Sequence, residues 1–307
     1  MYQKFFGIKE VPFSLSPDTS FFFAYGHYAN ALNTLLVALR TGEGFIKVSG
    51  EVGTGKTILC RKLMRSLGDK FKLVYIPNPQ LTSHGLQVAV AEELGLSITR
   101  YAHRLNKMIT DRLLEFAKEG KRVVLCIDEA QAMPEETMET LRLLTNLETE
   151  KSKLLHVVLF GQPELNELLN KKSVRQLKQR ITFSYDLQPL DKNGMQAYIL
   201  HRLVIAGFQQ GMIFDENAQQ RIFSASRGIP RLINILCHKS LLVAYGQGTH
   251  HINEDMVRLA ISDTEDTQLS SRMPWWRRLV AGYAVAAFAV SVMSLGALSQ
   301  LNPFIGT

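Results

Sequence analysis

Short apolar runs alternate with amphipathic stretches over the first two thirds of the chain. The apolar runs are typical of strands buried on both faces, and the stretches between them have the three- to four-residue spacing of helices. Five strands are predicted, at residues 45–50, 72–77, 122–128, 154–161 and 181–190. Helices are predicted between them at residues 85–94, 102–119, 135–147 and 163–170. This alternation predicts an α/β fold of three layers over residues 41–190, with a parallel sheet between two layers of helices.

Beyond residue 191 the pattern has helical spacing alone. Helices are predicted at residues 193–208, 215–226, 230–245 and 253–262. Asp215 and Asn253 stand at the start of two of them. Both are good N-cap residues, because their side-chain oxygens accept hydrogen bonds from the free N–H groups of a first helical turn. Residues 191–265 are therefore predicted to form an α-helical lid domain beside the α/β core.

A third pattern occupies the C-terminus, where residues 279–298 contain no charged side chain. About 20 apolar residues suffice to cross a bilayer as a helix. Just before this run lie Trp275, Trp276, Arg277 and Arg278, and such residues mark the cytoplasmic end of a membrane span. The pattern predicts one transmembrane helix that anchors the chain in the bacterial inner membrane, with the bulk of the chain in the cytoplasm. A juxtamembrane linker (266–278) and a short periplasmic tail (299–307) are predicted to flank it.

Composition changes this picture little. Among 307 residues, Lys and Arg exceed Asp and Glu by 35 to 28, which gives a net charge of +7. A moderate positive charge permits contact with nucleic acid or anionic lipid but requires neither. The cysteines, Cys60, Cys126 and Cys237, are far apart and form no C-x-x-C pair. Their spacing argues against a zinc site or a disulfide framework.

A glycine-rich segment after the first predicted strand has the G-x-x-x-x-G-K-[ST] pattern of a phosphate-binding loop. Its residues are Gly50, Glu51, Val52, Gly53, Thr54, Gly55, Lys56 and Thr57. The glycines allow backbone N–H groups to turn toward phosphate oxygens, and the following helix adds the positive end of its dipole. Lys56 is predicted to reach the β- and γ-phosphates, and the Thr57 hydroxyl to join the Mg²⁺ shell. We therefore expect the chain to bind a nucleoside triphosphate together with Mg²⁺.

An acidic pair, Asp128 and Glu129, follows the apolar residues of the third predicted strand. Asp128 is predicted to hold Mg²⁺, because ligands collect at the carboxyl ends of strands in open α/β sheets. Glu129 is positioned to polarise the water that attacks the γ-phosphate. The strand at residues 72–77 lies between the loop and this pair, which separates the chain from kinase-like phosphate-loop folds.

Three further polar residues are candidates for the same site. Gln162 follows the fourth predicted strand, where its amide would orient the attacking water or remain a plain strand-terminal group. Arg180 ends a basic run at residues 171–180, and would act as an arginine finger in a neighbouring subunit or belong to a solvated helix face. Arg231 opens a predicted helix, from which it would reach back to the nucleotide or stay at the surface.

The N-terminal extension, residues 1–40, is rich in aromatic residues and has helical spacing from residue 31. The aromatic residues are Phe5, Phe6, Phe13, Phe21, Phe22, Phe23, Tyr25 and Tyr28. Such a segment would pack an adenine ring between apolar side chains, or it is an ordinary packed extension. The sequence favours neither reading for any one of these residues.

Taken in this order, the motifs resemble those of the AAA+ ATPases. The likeness is to the branch that contains the secretion ATPases of the ExeA/GspA type and the MSHA-pilus biogenesis ATPases. It covers about residues 1–265 and is carried by residues 1–7, 12–18, 42–45, 50–57, 127–131, 161–165 and 228–231. The resemblance implies ATP binding between the core and the lid, ATP hydrolysis, and ring oligomers, with a hexamer expected. It also implies that Gln162 is the first sensor, Arg231 the second and Arg180 the finger. Gln162 departs from the asparagine or threonine common in the family.

The resemblance and the predicted span indicate a membrane-anchored ATPase that assists assembly of an MSHA-like type IV pilus or of related type II secretion machinery. Its expected partners are further copies of itself and inner-membrane components of that machinery. The alternative is a DNA-associated AAA+ ATPase of the transposition-regulator type, which the basic run would suit. A terminal membrane span argues against a diffusible DNA factor, so nucleic acid is not an expected partner. The secretion ATPases continue into a periplasmic peptidoglycan-binding domain, whereas nine residues follow the span here. Direct peptidoglycan binding is therefore not expected.

Overall fold

A five-stranded parallel sheet forms the centre of the computed structural model, which describes residues 2–98, 101–148 and 153–265. The strands are β1 (Phe45–Gly50), β2 (Phe71–Ile76), β3 (Arg122–Ile127), β4 (Leu155–Gly161) and β5 (Phe183–Leu187). They lie in the order β2-β3-β4-β1-β5, and every neighbouring pair is parallel. The predicted parallel α/β sheet is confirmed, and the carboxyl ends of β1, β3 and β4 meet at one edge.

Side chains of the central strands alternate between two hydrophobic cores, as the two-residue period of a strand requires. On β3, Val124 and Cys126 face one core, whereas Val123, Leu125 and Ile127 face the other. All five side chains are buried. Because both faces of β3 are apolar, helices must cover both, which explains the three layers.

Helices cover the two faces of the sheet. The helices of the core are α2 (His27–Thr41), α3 (Lys56–Ser66), α4 (Ser83–Glu93), α5 (Ala102–Lys118), α6 (Glu135–Leu144), α7 (Glu164–Asn170) and α8 (Arg175–Lys178). Short 3₁₀ helices lie at Thr19–Phe21, Ala130–Ala132 and Lys172–Val174. Helices α2 and α3 pack on the face of Val124 and Cys126. Helices α4 to α7 pack on the opposite face.

The residues after β5 form a bundle of helices. They are α9 (Lys192–Ile205), α10 (Glu216–Ser226), α11 (Pro230–Gly246) and α12 (Glu254–Ser262). Asp215 caps α10 by accepting from the Ala218 N–H at 2.6 Å, and Asn253 caps α12 by accepting from the Met256 N–H at 3.2 Å. Both predicted N-caps are confirmed.

The N-terminal segment packs on this helical bundle. Its first helix, α1 (Tyr2–Phe6), lies against α11. The Tyr2 hydroxyl lies 3.0 Å from Nδ1 of His238, and the rings of Phe5 and Tyr245 are 5.4 Å apart. The segment, the bundle and one face of the sheet share one hydrophobic core.

The structure differs from the sequence prediction mainly at element ends. The fifth strand is shorter than the predicted 181–190, because the Leu190 N–H donates to the Gly228 carbonyl at 2.9 Å instead of continuing the sheet. Among the helices of residues 2–98, 101–148 and 153–265, none is long and apolar enough to cross a bilayer. The predicted span at 279–298, its linker (266–278) and its tail (299–307) lie outside the described residues.

Acid is expected to destabilise the fold, because three of its histidines are partly or fully buried. Burial lowers the pKa of His156, of His201 and of His238. Below the ordinary histidine pKa of about 6.5, the unfolded chain therefore binds protons that the folded chain does not, and stability is lost as the pH falls. We expect the melting temperature to be lower at about pH 5.5 than at about pH 7.5.

A His156→Gln variant tests this prediction. His156 is 2% exposed, and its Nδ1 lies 2.7 Å from the Glu43 carbonyl. Glutamine retains a donor for that carbonyl but cannot take up a proton. The variant should therefore lose less stability than the wild-type chain between the two pH values, and an equal loss in both proteins would contradict the prediction.

Candidate nucleotide-binding site

The phosphate loop joins the end of β1 to the start of α3. Gly53 and Gly55 have left-handed φ angles of 81° and 97°, which glycine adopts without the clash that a Cβ brings. Thr54 is fully buried, and its hydroxyl donates to the Glu51 carbonyl at 2.8 Å. Helix α3 begins at Lys56, so the loop ends where free helical N–H groups begin. The local geometry is that of an anion cradle.

Lys56 is folded into this loop. Its Nζ donates to the carbonyls of Gly50 and Glu51 at 2.7 and 2.9 Å, and the side chain is 5% exposed. Burial lowers the pKa of Lys56, while the nearby carboxylates of Glu129 and Asp128 act in the opposite direction. The ammonium group therefore lies inside the loop and close to both members of the acidic pair.

Asp128 and Thr57 lie together beside the loop. Asp128 is 3% exposed and accepts from the Glu129 N–H at 3.0 Å. Burial raises the pKa of Asp128, and hydrogen bonds from Thr57 and from the Glu129 N–H partly offset that rise. A carboxylate and a hydroxyl offer the oxygen ligands that Mg²⁺ prefers. The donor set of these two residues fits the predicted metal, with Thr57 and Asp128 as the groups that would hold it.

Glu129 has a left-handed backbone and a carboxylate bound by two amides. Its φ angle is 51°, which is uncommon for any residue but glycine and recurs at functional sites. Its Oε2 accepts from Gln131 Nε2 at 2.6 Å and from Gln162 Nε2 at 3.0 Å. The structure therefore brings the predicted residues Glu129 and Gln162 into direct contact. Gln131 was not among the sequence candidates.

A cavity of about 360 Å³ opens over the phosphate loop. Its walls come from three parts of the chain: the loop and the ends of β3 and β4, residues 14–17 of the N-terminal segment, and the helical bundle. Lys56, Thr57, Glu129, Gln162 and Arg231 all line it. Three sequence candidates that are distant in the chain, Glu129, Gln162 and Arg231, thus join the phosphate loop around one cavity.

Arg231 is held against the phosphate loop by the backbone. Its N–H donates to the Gly53 carbonyl at 3.1 Å, and a Cβ on Gly53 would lie 2.7 Å from the Cβ of Arg231. Gly228 forms the turn before it, with a φ of 76° and no room for a Cβ, which would meet the Leu190 carbonyl oxygen at 1.9 Å. The first turn of α11 is therefore packed directly on the nucleotide loop.

A second, apolar pocket of about 40 Å³ lies beside the loop. The predicted aromatic residues that line it are Phe21, Phe22, Phe23 and Tyr28. The Tyr28 hydroxyl donates to the Thr54 carbonyl at 2.9 Å, which ties this wall to the loop. Burial raises the pKa of Tyr28. The structure thus divides the aromatic cluster: Tyr25 stacks on Phe23 beside the pocket, whereas Phe5 packs near Tyr245 and Phe13 near Phe214.

Arg202 lines both cavities and was not among the sequence candidates. It is 4% exposed and lies over the ring of Phe21, with 4.7 Å from Cζ to the ring centroid. Its guanidinium donates to the carbonyl of Pro12 and, at 2.9 Å, to the Tyr198 hydroxyl. Arginine is almost never fully buried unless its charged group is paired. Here the arginine fixes the N-terminal segment over the cavity.

Arg180 lies away from the cavity of its own chain. It is half-buried, and its Nη1 donates to the Thr145 carbonyl at 3.4 Å. Of the basic run around it, Lys171 pairs with Glu135 at 2.7 Å. Within one copy of the chain, the structure therefore does not bring Arg180 together with the other candidates.

The matches to known proteins agree with this geometry. A family model described as an AAA domain matches residues 39–169. Solved structures also match most of the chain. The ORC2 protein of Aeropyrum pernix, solved in ADPNP and ADP complexes, has a TM-score of 0.58 at 18% identity, over 80% of this chain and 71% of that one. The fold is that of an AAA+ phosphate-loop NTPase.

Other solved structures have the same fold. Cdc6p of Pyrobaculum aerophilum has a TM-score of 0.62 at 21% identity, over 80% of this chain and 70% of that one. The Holliday junction branch migration motor RuvB of Thermotoga maritima has a TM-score of 0.54 at 18% identity, over 78% and 70%. At these identities the likeness concerns the fold alone.

A curated relative is much more similar in sequence. General secretion pathway protein A of Aeromonas hydrophila is 43% identical over 262 residues, which is 85% of this chain and 48% of that protein. The chain spans about half the length of this relative. The predicted likeness to secretion ATPases is confirmed, while the closer likeness to MSHA-pilus ATPases stays a prediction.

Proposed function

We propose that this chain hydrolyses ATP with the help of Mg²⁺. The observation that carries the proposal is the convergence of Lys56, Thr57, Asp128, Glu129 and Gln162 at the carboxyl ends of three adjacent strands. A phosphate cradle, a pair of oxygen ligands and the carboxylate of Glu129, whose Oε2 is held by two amides, are parts that phosphoryl transfer to water requires.

Each residue has a defined role in this proposal. Lys56 and Arg231 would neutralise phosphate charge, and Thr57 and Asp128 would hold a Mg²⁺ ion that neutralises further charge on the phosphates. Glu129 accepts a proton from water while the water oxygen forms a bond to the γ-phosphorus. The bond between the γ-phosphorus and the oxygen of the leaving ADP breaks at the same time. Gln162 orients that water or contacts the γ-phosphate. The products are ADP and inorganic phosphate.

The aromatic pocket suits the base of the nucleotide. Phe21 and Phe22 come from the N-terminal segment, Ile58 from α3 and Pro230 from the start of α11. Flat purine rings pack favourably between such apolar side chains. Because both the N-terminal segment and the bundle contribute walls, we propose that adenine binds at the junction of the core and the helical lid.

A ring of copies would complete the site. Arg180 does not line the cavity of its own chain, so its guanidinium is available to the site of a neighbouring copy. We propose that Arg180 acts as an arginine finger in the adjacent subunit, where it would stabilise transition-state charge. A hexamer is the ring size that we propose.

The cellular role that we propose is assembly of an envelope machine. The 43% likeness to General secretion pathway protein A supports a task in type II secretion or in a related MSHA-like type IV pilus. We propose that residues 279–298 anchor the chain in the inner membrane, with the nucleotide site in the cytoplasm and inner-membrane assembly proteins as partners. The DNA-associated alternative has support only from fold likeness and from the basic run at residues 171–180.

Metal removal tests the proposal on the full chain in detergent. We expect phosphate release from ATP with Mg²⁺ and a loss of at least about 100-fold when EDTA replaces the metal, because metal ions contribute several kcal/mol to such reactions. In cell membranes before detergent is added, the chain should sediment with the membranes and resist extraction by salt. Equal phosphate release with and without Mg²⁺ would contradict the enzymatic assignment, and release from membranes by salt would contradict the anchor.

A further inference from the structure

Gln131 touches both candidate catalytic groups through one amide. Its Nε2 donates to Glu129 Oε2 at 2.6 Å, and its Oε1 accepts from the backbone N–H of Gln162 at 3.0 Å. The partners fix the orientation of the amide, because a backbone N–H only donates and a carboxylate only accepts. Gln131 is half-buried and is not among the described residues that line the nucleotide cavity. It therefore acts on the site through its neighbours.

The backbone is built to bring Gln131 to this position. Glu129 adopts its left-handed φ of 51°, and the 3₁₀ helix Ala130–Ala132 follows at once. This turn returns the chain toward the end of β4. There, Gly161 leaves room for the amide, since a Cβ on it would lie 3.2 Å from Gln131 Oε1 and 2.7 Å from a Leu165 methyl group.

We propose that Gln131 is a positioning residue that fixes Glu129 and Gln162 relative to each other for ATP hydrolysis; the inference rests on the function proposed above. Two amide donors, from Gln131 and Gln162, converge on Oε2 of Glu129. Among the described residues, none donates a hydrogen bond to Oε1. Gln131 thereby turns the carboxylate so that Oε1 is the oxygen left to take the proton of water.

Two substitutions separate the two hydrogen bonds of Gln131. Gln131→Met has a similar length and removes both bonds. Gln131→Glu keeps an acceptor for the Gln162 N–H but places a second carboxylate against Glu129, where a donor is required. If Gln131 only joined the ends of β3 and β4, Gln131→Glu would retain full activity. If it positions Glu129, both variants lose activity.

The experiment measures turnover, ATP affinity and amide hydrogen exchange on the full chain. We expect kcat to fall about 10- to 100-fold in both variants, because a small misplacement of a catalytic group has effects of this size. The Kd for ATP should stay within about threefold, since the phosphate cradle is untouched. Without nucleotide, exchange of the Gln162 N–H should rise about 2- to 10-fold in Gln131→Met and stay unchanged in Gln131→Glu.

Gln219→Met is the matched control. Gln219 is 7% exposed and donates from its amide to the Phe214 carbonyl at 2.7 Å, so the control loses a buried glutamine outside the site. It should retain the wild-type kcat.

Wild-type kcat in Gln131→Glu would overturn the inference, and this variant decides alone if Gln131→Met does not fold. If the wild-type chain hydrolyses no ATP, the proposed function fails first. If Glu129→Gln stops hydrolysis and both Gln131 variants keep it, the function stands and only the inference fails.

Discussion

Replacing Glu129 with glutamine should leave ATP bound and stop its hydrolysis. The two side chains have the same shape, and glutamine can still accept a hydrogen bond from Gln131 or Gln162 through its amide oxygen. It cannot accept a proton from water, which removes a contribution of about 100- to 10,000-fold in rate. We expect phosphate release to fall by that factor while the Kd for ATP changes less than about threefold. Single-turnover assays and calorimetric titration measure the two quantities.

Glu164→Gln is the control for this change. Glu164 is an exposed carboxylate at the start of α7, and it acts electrostatically on Lys56 as Glu129 does. The control removes the same charge from the same neighbourhood, but it leaves the bonds of Glu129 intact. It should retain most of its turnover. An equal loss in both variants would mean that the charge near Lys56, and not the proton acceptor, is what Glu129 supplies.

Replacing Lys56 with methionine should weaken ATP binding itself. Methionine retains much of the buried aliphatic volume of the lysine. It has no ammonium group that could donate to phosphate oxygens in place of the loop carbonyls. A charge-assisted hydrogen bond contributes about 1.5–3 kcal/mol, which corresponds to a Kd that rises about 10- to 150-fold. Titration calorimetry with ATP and Mg²⁺ measures this rise.

Lys118→Ala controls for the loss of one positive charge from the chain. Lys118 is an exposed residue in the last turn of α5, on the face of the sheet opposite to α3. The Kd of the Lys118→Ala variant for ATP should equal that of the wild-type chain. A Lys56→Met variant with unchanged affinity would show that the loop lysine does not contact the nucleotide. The loop would then be structural.

The phosphate loop and the acidic pair were predictable because their chemistry is local in sequence. A glycine loop must lie between a strand and a helix, and both flanks are readable from a few residues around Gly50 and Thr57. Asp128 and Glu129 directly follow an apolar strand. Because the carboxyl ends of parallel strands lie at one edge of a sheet, the pair is expected beside the loop. The structure places these residues together, and their roles stay predictions until they are tested.

The contributions of Gln131 and Arg202 were not predictable, because they depend on contacts between distant segments. Arg202 reaches the Pro12 carbonyl, 190 residues earlier in the chain. Nothing in the helical pattern of α9 distinguishes this arginine from one on a solvated face. Gln131 lies two residues beyond the acidic pair, but its partner Gln162 is defined only when β3 and β4 become neighbours. The short fifth strand has the same origin, since Leu190 bonds to Gly228 in the bundle.

The path of the N-terminal segment has a mechanical consequence. Residues 2–6 are attached to α11, Pro12 is bound to Arg202 of α9, and Phe21 and Phe22 then form walls of the apolar pocket. One short stretch of chain therefore runs from α11 to the place proposed for the base. A rotation of the bundle would therefore act on that pocket wall through residues 13–20, which join Pro12 to Phe21. The first 25 residues would then couple movement of the bundle to the strength of nucleotide binding.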